Sequence, residues 1–583
     1  MAGKPTPIFY VALCIVVLGL VGFGLYQARD VLAPGGDDVP VAGANGGSDL
    51  NLSDLGSVEA PDEVGITTVK EYEFKPSERL PAVKGTADYR PMDDNTVRFA
   101  LNVWAGWAPI IQANEGFKAG KIWKTPSGEE FKVELVLIDD PVAMRDAYTS
   151  GEVHIGWATL DMMPLLMEGF VKRNGDPIDS RVMPRIFQQV DWSNGGDGIV
   201  ARGGIKTIGD LRGKKIVLAE NSPSQYFVLN MLVYGGVQPS EVEFVYTADA
   251  FQAAAAFNSQ KDIDAVVSWA PDIYNLSDVS GNNMIVSTGT ANKLIADVWF
   301  ARADFASEHP EICEGLVRGI LDSMTELNTD EGKKEVAQLM ADGYGLPASE
   351  AFEMLADAHS TNWAENYQFL MNKNNPANFE RVWNQAYYIY RRIGKVTHQT
   401  VKFDKVMDFS IIEKLGKEEK YSSQTDDYSV PFIATTTSQV RGAEEILTNT
   451  VVIHFFPNSS ELYKKITKKQ NGKDVETLYD PKVDFVLEEI AKLAGQFGTA
   501  RIVIEGHTDS SMKGKAPTDL VKQLSKQRAQ AVKEALSAKY ELDPNQFNID
   551  GVGWDRPADP LEPLNHAQNR RVEVKIYPAE SID

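Results

Sequence analysis

Residues 208–227 read IGDLRGKKIVLAENSPSQYF. Inside this stretch KIVLA (215–219) is a short apolar run of the kind that forms a strand buried on both faces. Ser222-Pro223 then supplies a helix start, with serine as the cap and proline in the first turn. A buried strand that turns directly into a helix is half of an α/β unit. The flanking sequence repeats the alternation. Residues 96–103 (TVRFALNV), 132–138 (KVELVLI), 154–158, 242–246 and 265–269 (AVVSW) read as strands. Helices are expected to end near Tyr148, to run from Ser222 to Tyr234, and to cover 251–258. The expectation is an α/β fold over 95–395 with two open sheets, whose ligands would lie beyond the carboxyl ends of the strands.

The loops at those ends carry unusual residues. Trp104 and Trp107 follow the first strand, Asp191-Trp192-Ser193 precedes another, and Trp269-Ala270-Pro271-Asp272 closes a third. Tryptophan at a strand end is also ordinary core, so the argument rests on several occurring in one unit. Ser222 and Ser224 at a helix start could present hydroxyls beside free backbone N–H groups to an anion, or could be plain caps.

The run of NVWAGWAP (102–109), SGEVHIGWA (150–158), DWSNGGDGIVAR (191–202), the 208–227 stretch, DIDAVVSWAPD (262–272) and VWFARADFASEHPEI (298–312) resembles the solute-binding proteins of ABC importers. The type is the one serving alkanesulfonates, nitrate and thiamine precursors. The resemblance implies two lobes closing on a small ligand. It carries the pocket onto Trp104, Trp107, Trp192, Ser193, Ser222, Ser224 and Trp269, with Asp191 and Asp272 as candidates for an amine. Serines at a helix start suit an acidic end, and indoles suit an apolar or cationic body.

A second folded part is expected over 448–583. Residues 450–455 (TVVIHF), 501–505 (RIVIE), 548–552 and 572–577 (VEVKIY) read as strands, and 481–493 and 522–538 as helices, giving a compact α+β domain. FFPNSSEL (455–462), IEGHTDSS (504–511), QLSKQRAQAV (523–532), GVGWDRPADP (551–560) and NRRVEV (569–574) resemble the OmpA-like domain that binds peptidoglycan. The resemblance implies that Asp509 takes the diaminopimelate amine and Arg528 its carboxylate. One anion and one guanidinium fork at fixed separation suit a zwitterionic head. Two departures stand out: Val521 occupies a position commonly held by asparagine, and the loop 510–519 is long. His507 and Thr508 are expected to shape the loop.

Ahead of both parts, residues 7–26 (PIFYVALCIVVLGLVGFGLY) form an uncharged run. Twenty residues span about 30 Å as a helix, enough for a bilayer core. Lys4 precedes it, and the first positive charge after it is Arg29. The expectation is one transmembrane anchor, with residues 1–6 cytoplasmic and the bulk of the chain in the periplasm at the inner membrane. A cleaved signal peptide is the rival, but Tyr26-Gln27-Ala28 puts a tyrosine where a small residue is needed. Residues 27–94 are read as a tether and lead-in, flexible where Gly, Ala, Ser and Asp dominate, and 396–447 as a linker.

Composition excludes other classes. The 82 acidic residues outweigh the 58 basic ones, for a net charge of −24, which repels nucleic acid. The two cysteines, Cys14 and Cys313, make neither a disulfide scaffold nor a zinc site. No GxSxG, HExxH, P-loop or CxxC occurs, and His154, His359 and His398 have no carboxylate at motif spacing, so no catalytic residues, cofactor or metal are expected. The expected partners are peptidoglycan, a small-molecule ligand, the inner membrane and a membrane-protein complex. The alternative is a non-enzymatic scaffold whose solute domain is degenerate.

Overall fold

The computed structural model describes Glu59 and residues 71–429, 431–470, 473–561 and 563–578. The expected anchor 7–26 and most of the tether lie outside the described residues. Among the described residues no helix is long and apolar enough to cross a membrane.

Strands β1 (Thr96–Leu101), β2 (Trp123–Lys124), β3 (Glu130–Leu137), β4 (Ile155–Thr159) and β5 (Pro184–Ser193) begin the first lobe. The chain then crosses to a second sheet of β6 (Asp197–Arg202), β7 (Lys215–Ala219), β8 (Glu243–Thr247), β9 (Ala265–Trp269) and β10 (Asn282–Ser287). It crosses back to complete the first sheet with β11 (Ala296–Arg302) and β12 (Ala358–Ser360). The orders are β12-β5-β11-β4-β1-β3-β2 and β10-β6-β9-β7-β8. The lobes are therefore joined at two crossings, 194–196 and 288–295. β4 and β11 are buried at every position because they lie inside the sheet with layers on both faces, whereas β3 near the edge alternates.

The 208–227 stretch folds as read. β7 is followed by the helix Pro223–Tyr234, eleven of whose residues are buried. Ser222 starts that helix without capping it: its hydroxyl donates to the Ala219 carbonyl at 2.9 Å.

The C-terminal domain is a four-stranded sheet of β13 (Leu447–Val451), β16 (Arg501–His507), β17 (Phe547–Gly553) and β18 (Val572–Tyr577), in the order β13-β18-β16-β17. The helices Val483–Gln496 and Thr518–Tyr540 complete it. Between β13 and the first helix lies a separate hairpin, β14 (Lys465–Gln470) and β15 (Lys473–Leu478), whose charged sequence gave no strand signal. The first strand ends at Val451 rather than at 455, and the chain beyond it leaves the sheet to line a pocket.

Neither the lead-in from 71 nor the linker is free chain. Buried Arg145 and Arg302 need acceptors, and the lead-in provides them: Arg145 donates to the Pro81 carbonyl and Arg302 to that of Ala87, at 2.8 and 2.7 Å. In the linker Tyr421 is buried, and Tyr428 stacks on His359 with ring centres 3.9 Å apart.

The C-terminal domain sits against both lobes and one crossing. Tyr234 of the second lobe donates to Gln496 at 2.6 Å, and Arg381 pairs with Glu488. On the crossing, the Lys293 amide donates to the Gln496 carbonyl at 3.1 Å, and the Thr499 hydroxyl to that of Gly289 at 2.9 Å.

Candidate functional site

Two groups of side chains are built like binding sites. The first gathers where the lobes cross. Thr159, Asp297 and Asp191 stand in register across β4, β11 and β5. Trp104 donates its indole N–H to Asp191 at 2.9 Å. This needs glycine twice: a Cβ on Gly106 would stand 2.4 Å from the Asp191 carboxylate, and one on Gly196 would stand 2.5 Å from the Trp104 ring. Ser193 donates to Asp197 at 2.8 Å, and its hydroxyl meets that of Thr288 at 2.8 Å, which ties the crossings together.

Asp161, two residues beyond β4, is fully buried beside this group. Neither of its oxygens has a hydrogen-bonding partner among the described residues. Burial pushes Asp161 and Asp197 up to about 7 and Asp357 to about 6. Asp191 and Asp297 are raised by burial and, for Asp297, by Asp191 opposite it.

The structure separates the residues expected to share one pocket. Trp104, Asp191 and Ser193 meet at the crossings, Trp269 pairs in register with Asp197, and Ser224 is buried on the helix Pro223–Tyr234, which packs against the turn holding Asp161. Trp107 is instead lobe core, edge-on to Phe99 and donating to Asn102. Trp192 points to the opposite face of β5 from Asp191, because neighbours on a strand alternate; it packs edge-on against Phe369. There it lines a cavity of about 340 Å³ between the first lobe and the C-terminal domain. The Ser222 hydroxyl is spent on backbone. Asp272 starts a short helix, and burial raises its carboxyl. Sequence reasoning missed Asp161, Asp197, Asp297, Tyr226 and Tyr390. The one available signal was Asp161 as a lone carboxylate just past a strand end in GWATLDMM (156–163).

The second group lies in the C-terminal domain. Arg528, on the helix Thr518–Tyr540, is 2% exposed; its guanidinium faces the Phe455 ring at 5.1 Å and donates Nε–H to the Ser459 carbonyl. Its two remaining nitrogens grip Glu59: Nη1 to Oε1 at 2.9 Å and Nη2 to Oε2 at 2.6 Å. The Asn458 amide donates to Glu59 Oε2, and the Glu59 amide donates back to Asn458 Oδ1. Burial alone would raise the Glu59 carboxyl. The Arg528 guanidinium, with the Asn458 amide and Arg570, outweighs this and holds it below the usual range.

Arg570 connects the pair to Asp509, lying 3.6 Å from Glu59 Oε1 and bonding Asp509 directly. His566 Nδ1 is 3.1 Å from the other Asp509 oxygen. Asp509 and Arg528 are thus joined through Glu59 and Arg570. Val521 is buried, facing the position of Gly553, and the long loop holds a short turn, Ser510–Met512, pinned by buried Met512.

His507 lies between Glu505 and Glu573 at 3.7 and 3.6 Å. Arg441 and Arg556 hold Glu505, and Arg571 and Lys575 hold Glu573, so both carboxylates already have cationic partners. His359 and His398 do have carboxylate neighbours, Glu365 at 2.9 Å and Glu168 at 3.7 Å, brought close by the fold rather than by motif spacing.

Residues 185–330 match the NMT1/THI5 like family, and residues 473–571 match the OmpA family. The taurine-binding periplasmic protein of Escherichia coli is 27% identical over 226 residues, 38% of this chain and 66% of that protein. Outer membrane protein Omp38 of Acinetobacter baumannii is 36% identical over 117 residues, 20% of this chain and 30% of that protein. The matched segments therefore span less than two thirds of either relative. The periplasmic sulfonate-binding protein SsuA of Methylobacillus flagellatus superposes with a TM-score of 0.42 at 20% identity, over 56% of this chain and 95% of that one.

Proposed function

We propose that the chain is a wall-attached solute receptor of the cell envelope. Its two-lobed domain holds a small solute, its C-terminal domain grips peptidoglycan, and residues 7–26 anchor it in the inner membrane with the rest in the periplasm. It is a binding protein and not an enzyme. The observation that carries this reading is the Arg528 pocket. A buried guanidinium already forks around a carboxylate at 2.6 and 2.9 Å, and Asp509 stands beyond it across Arg570. Such a pocket is shaped for a group with a carboxylate on one side and an amine on the other. The OmpA match over 473–571 supports it as a wall-binding domain, and the NMT1/THI5 like match supports the solute domain.

The test is co-sedimentation of the full chain with purified sacculi. The wild type should pellet, and the Asp509→Ala, Arg528→Ala double variant should stay in solution. A double variant that pellets as well as the wild type would make this domain a protein-interaction module. A reporter active only in the periplasm, fused after Asp583, tests the topology; a processed N-terminus near residue 28 would remove the anchor.

A further inference from the structure

The lobes close over acidic groups without supplying a base to match them. Asp161 is fully buried with both oxygens unpartnered. Two helices packed against the turn that holds it bring phenols: Tyr226 on the second-lobe helix, and Tyr390 on the helix Phe379–Arg392. Both residues are fully buried, and neither hydroxyl has a hydrogen-bonding partner among the described residues. Both phenols lie within electrostatic reach of Asp161, and their rings stack with centres 6.4 Å apart. Asp197 and Asp297 bring two more carboxyls into range. Among the described residues, no lysine or arginine bonds or ion-pairs with any of these three aspartates.

Buried polar groups in folded proteins are nearly all hydrogen-bonded. A carboxyl and two phenols left open together, contributed by both lobes and the helix Phe379–Arg392, describe a site whose partner comes from outside. The missing partner must donate hydrogen bonds to a carboxylate and bring a counter-charge. An ammonium group does both: it is compact, and its three N–H donors can reach phenol oxygens as well as the carboxylate. A sulfonate, nitrate or phosphate facing Asp161 would add charge of the same sign where nothing neutralises it.

We propose that the cleft takes a solute bearing an ammonium group, seated against Asp161 with the hydroxyls of Tyr226 and Tyr390 around it. The proposal rests on the receptor reading above and adds the charge of the ligand. A simple anion is then a poor ligand, whatever the family resemblance suggests.

Isothermal titration of the full chain in detergent, with taurine, ethylammonium and ethanesulfonate, tests this directly. Taurine and ethanesulfonate differ only in the amine. An amine-bearing probe should bind at least tenfold more tightly than ethanesulfonate, and Asp161→Asn should weaken it at least tenfold. Asparagine is isosteric and removes a buried charge, so the variant should melt no lower than the wild type. Ethanesulfonate binding as tightly as taurine, or an Asp161→Asn variant with unchanged amine affinity, would overturn the proposal and leave the receptor reading standing. If none of the probes binds, a small molecule released on denaturing the purified chain decides the matter: a cation supports the proposal, and an anion overturns it. No binding and no released molecule would overturn the receptor reading as well.

Discussion

Glu59 lies 469 positions before Arg528 in the chain, yet its carboxylate takes both terminal nitrogens of that guanidinium. The side chain that should receive a carboxylate from the wall already holds one from its own protein. The grip is complete: the Glu59 side chain is fully buried, its amide donates to Asn458 Oδ1, and its carboxylate accepts from the Asn458 amide.

A wall fragment must displace Glu59 before it reaches Arg528. Removing one partner of a buried pair costs about 3–5 kcal/mol, and an incoming carboxylate can recover part of that. Glu59→Ala should therefore lower the melting temperature of the free chain and raise its affinity for a soluble muropeptide at least tenfold. Unchanged affinity would show that Glu59 does not compete.

Arg528→Lys should act in the opposite direction. A point-charge ammonium cannot make two parallel bonds to one carboxylate, so co-sedimentation with sacculi should be lost although the charge is kept. Retained pelleting would mean that charge alone recruits the wall.

The acidic cleft predicts how stability depends on pH. An unfolded aspartate titrates near 3.8, whereas burial lifts Asp161, faced by Asp197 and Asp297, to about 7. Between these values the folded chain holds the extra proton, so stability falls as pH rises from about 4 through about 7. Each unit of displacement is worth about 1.4 kcal/mol, so Asp161→Asn should gain roughly 2–4 kcal/mol at pH 8 and little at pH 4. Thermal melts of both proteins across this range check it, and a gain independent of pH would contradict it.

Trp192 should prove structural. Its ring packs on Phe369 and faces away from Asp191, so Trp192→Ala should cost about 3–5 kcal/mol of stability and leave solute affinity unchanged. A folded variant that has lost its ligand would return Trp192 to the cleft.

Much of the architecture was legible because its strands are apolar runs bounded by turn residues. KIVLA followed by Ser-Pro marks β7 and its helix to within a residue. The charged hairpin β14–β15 has no such pattern and went unread. The sites were harder. β5 is buried at nine of its ten positions, so alternation could not say that Asp191 and Trp192 face opposite ways. Asp161 looks like any acid after a strand until the fold shows that no base among the described residues reaches it. Glu59 meets Asn458 across 399 positions, a pairing that no local pattern encodes. Asp509 and Arg528 could be named beforehand only because a motif fixes their place in a resembling domain.

The contact of Gln496 and Thr499 with the 289–293 crossing has a mechanical consequence. Lobes that open and close must twist their two crossings, and one of these is held by the domain that carries the Arg528 pocket. A pull on that pocket is therefore not absorbed by slack chain. In the proposed receptor it would arrive as torque on the crossing, putting the grip on the solute mechanically in series with the tension in the wall.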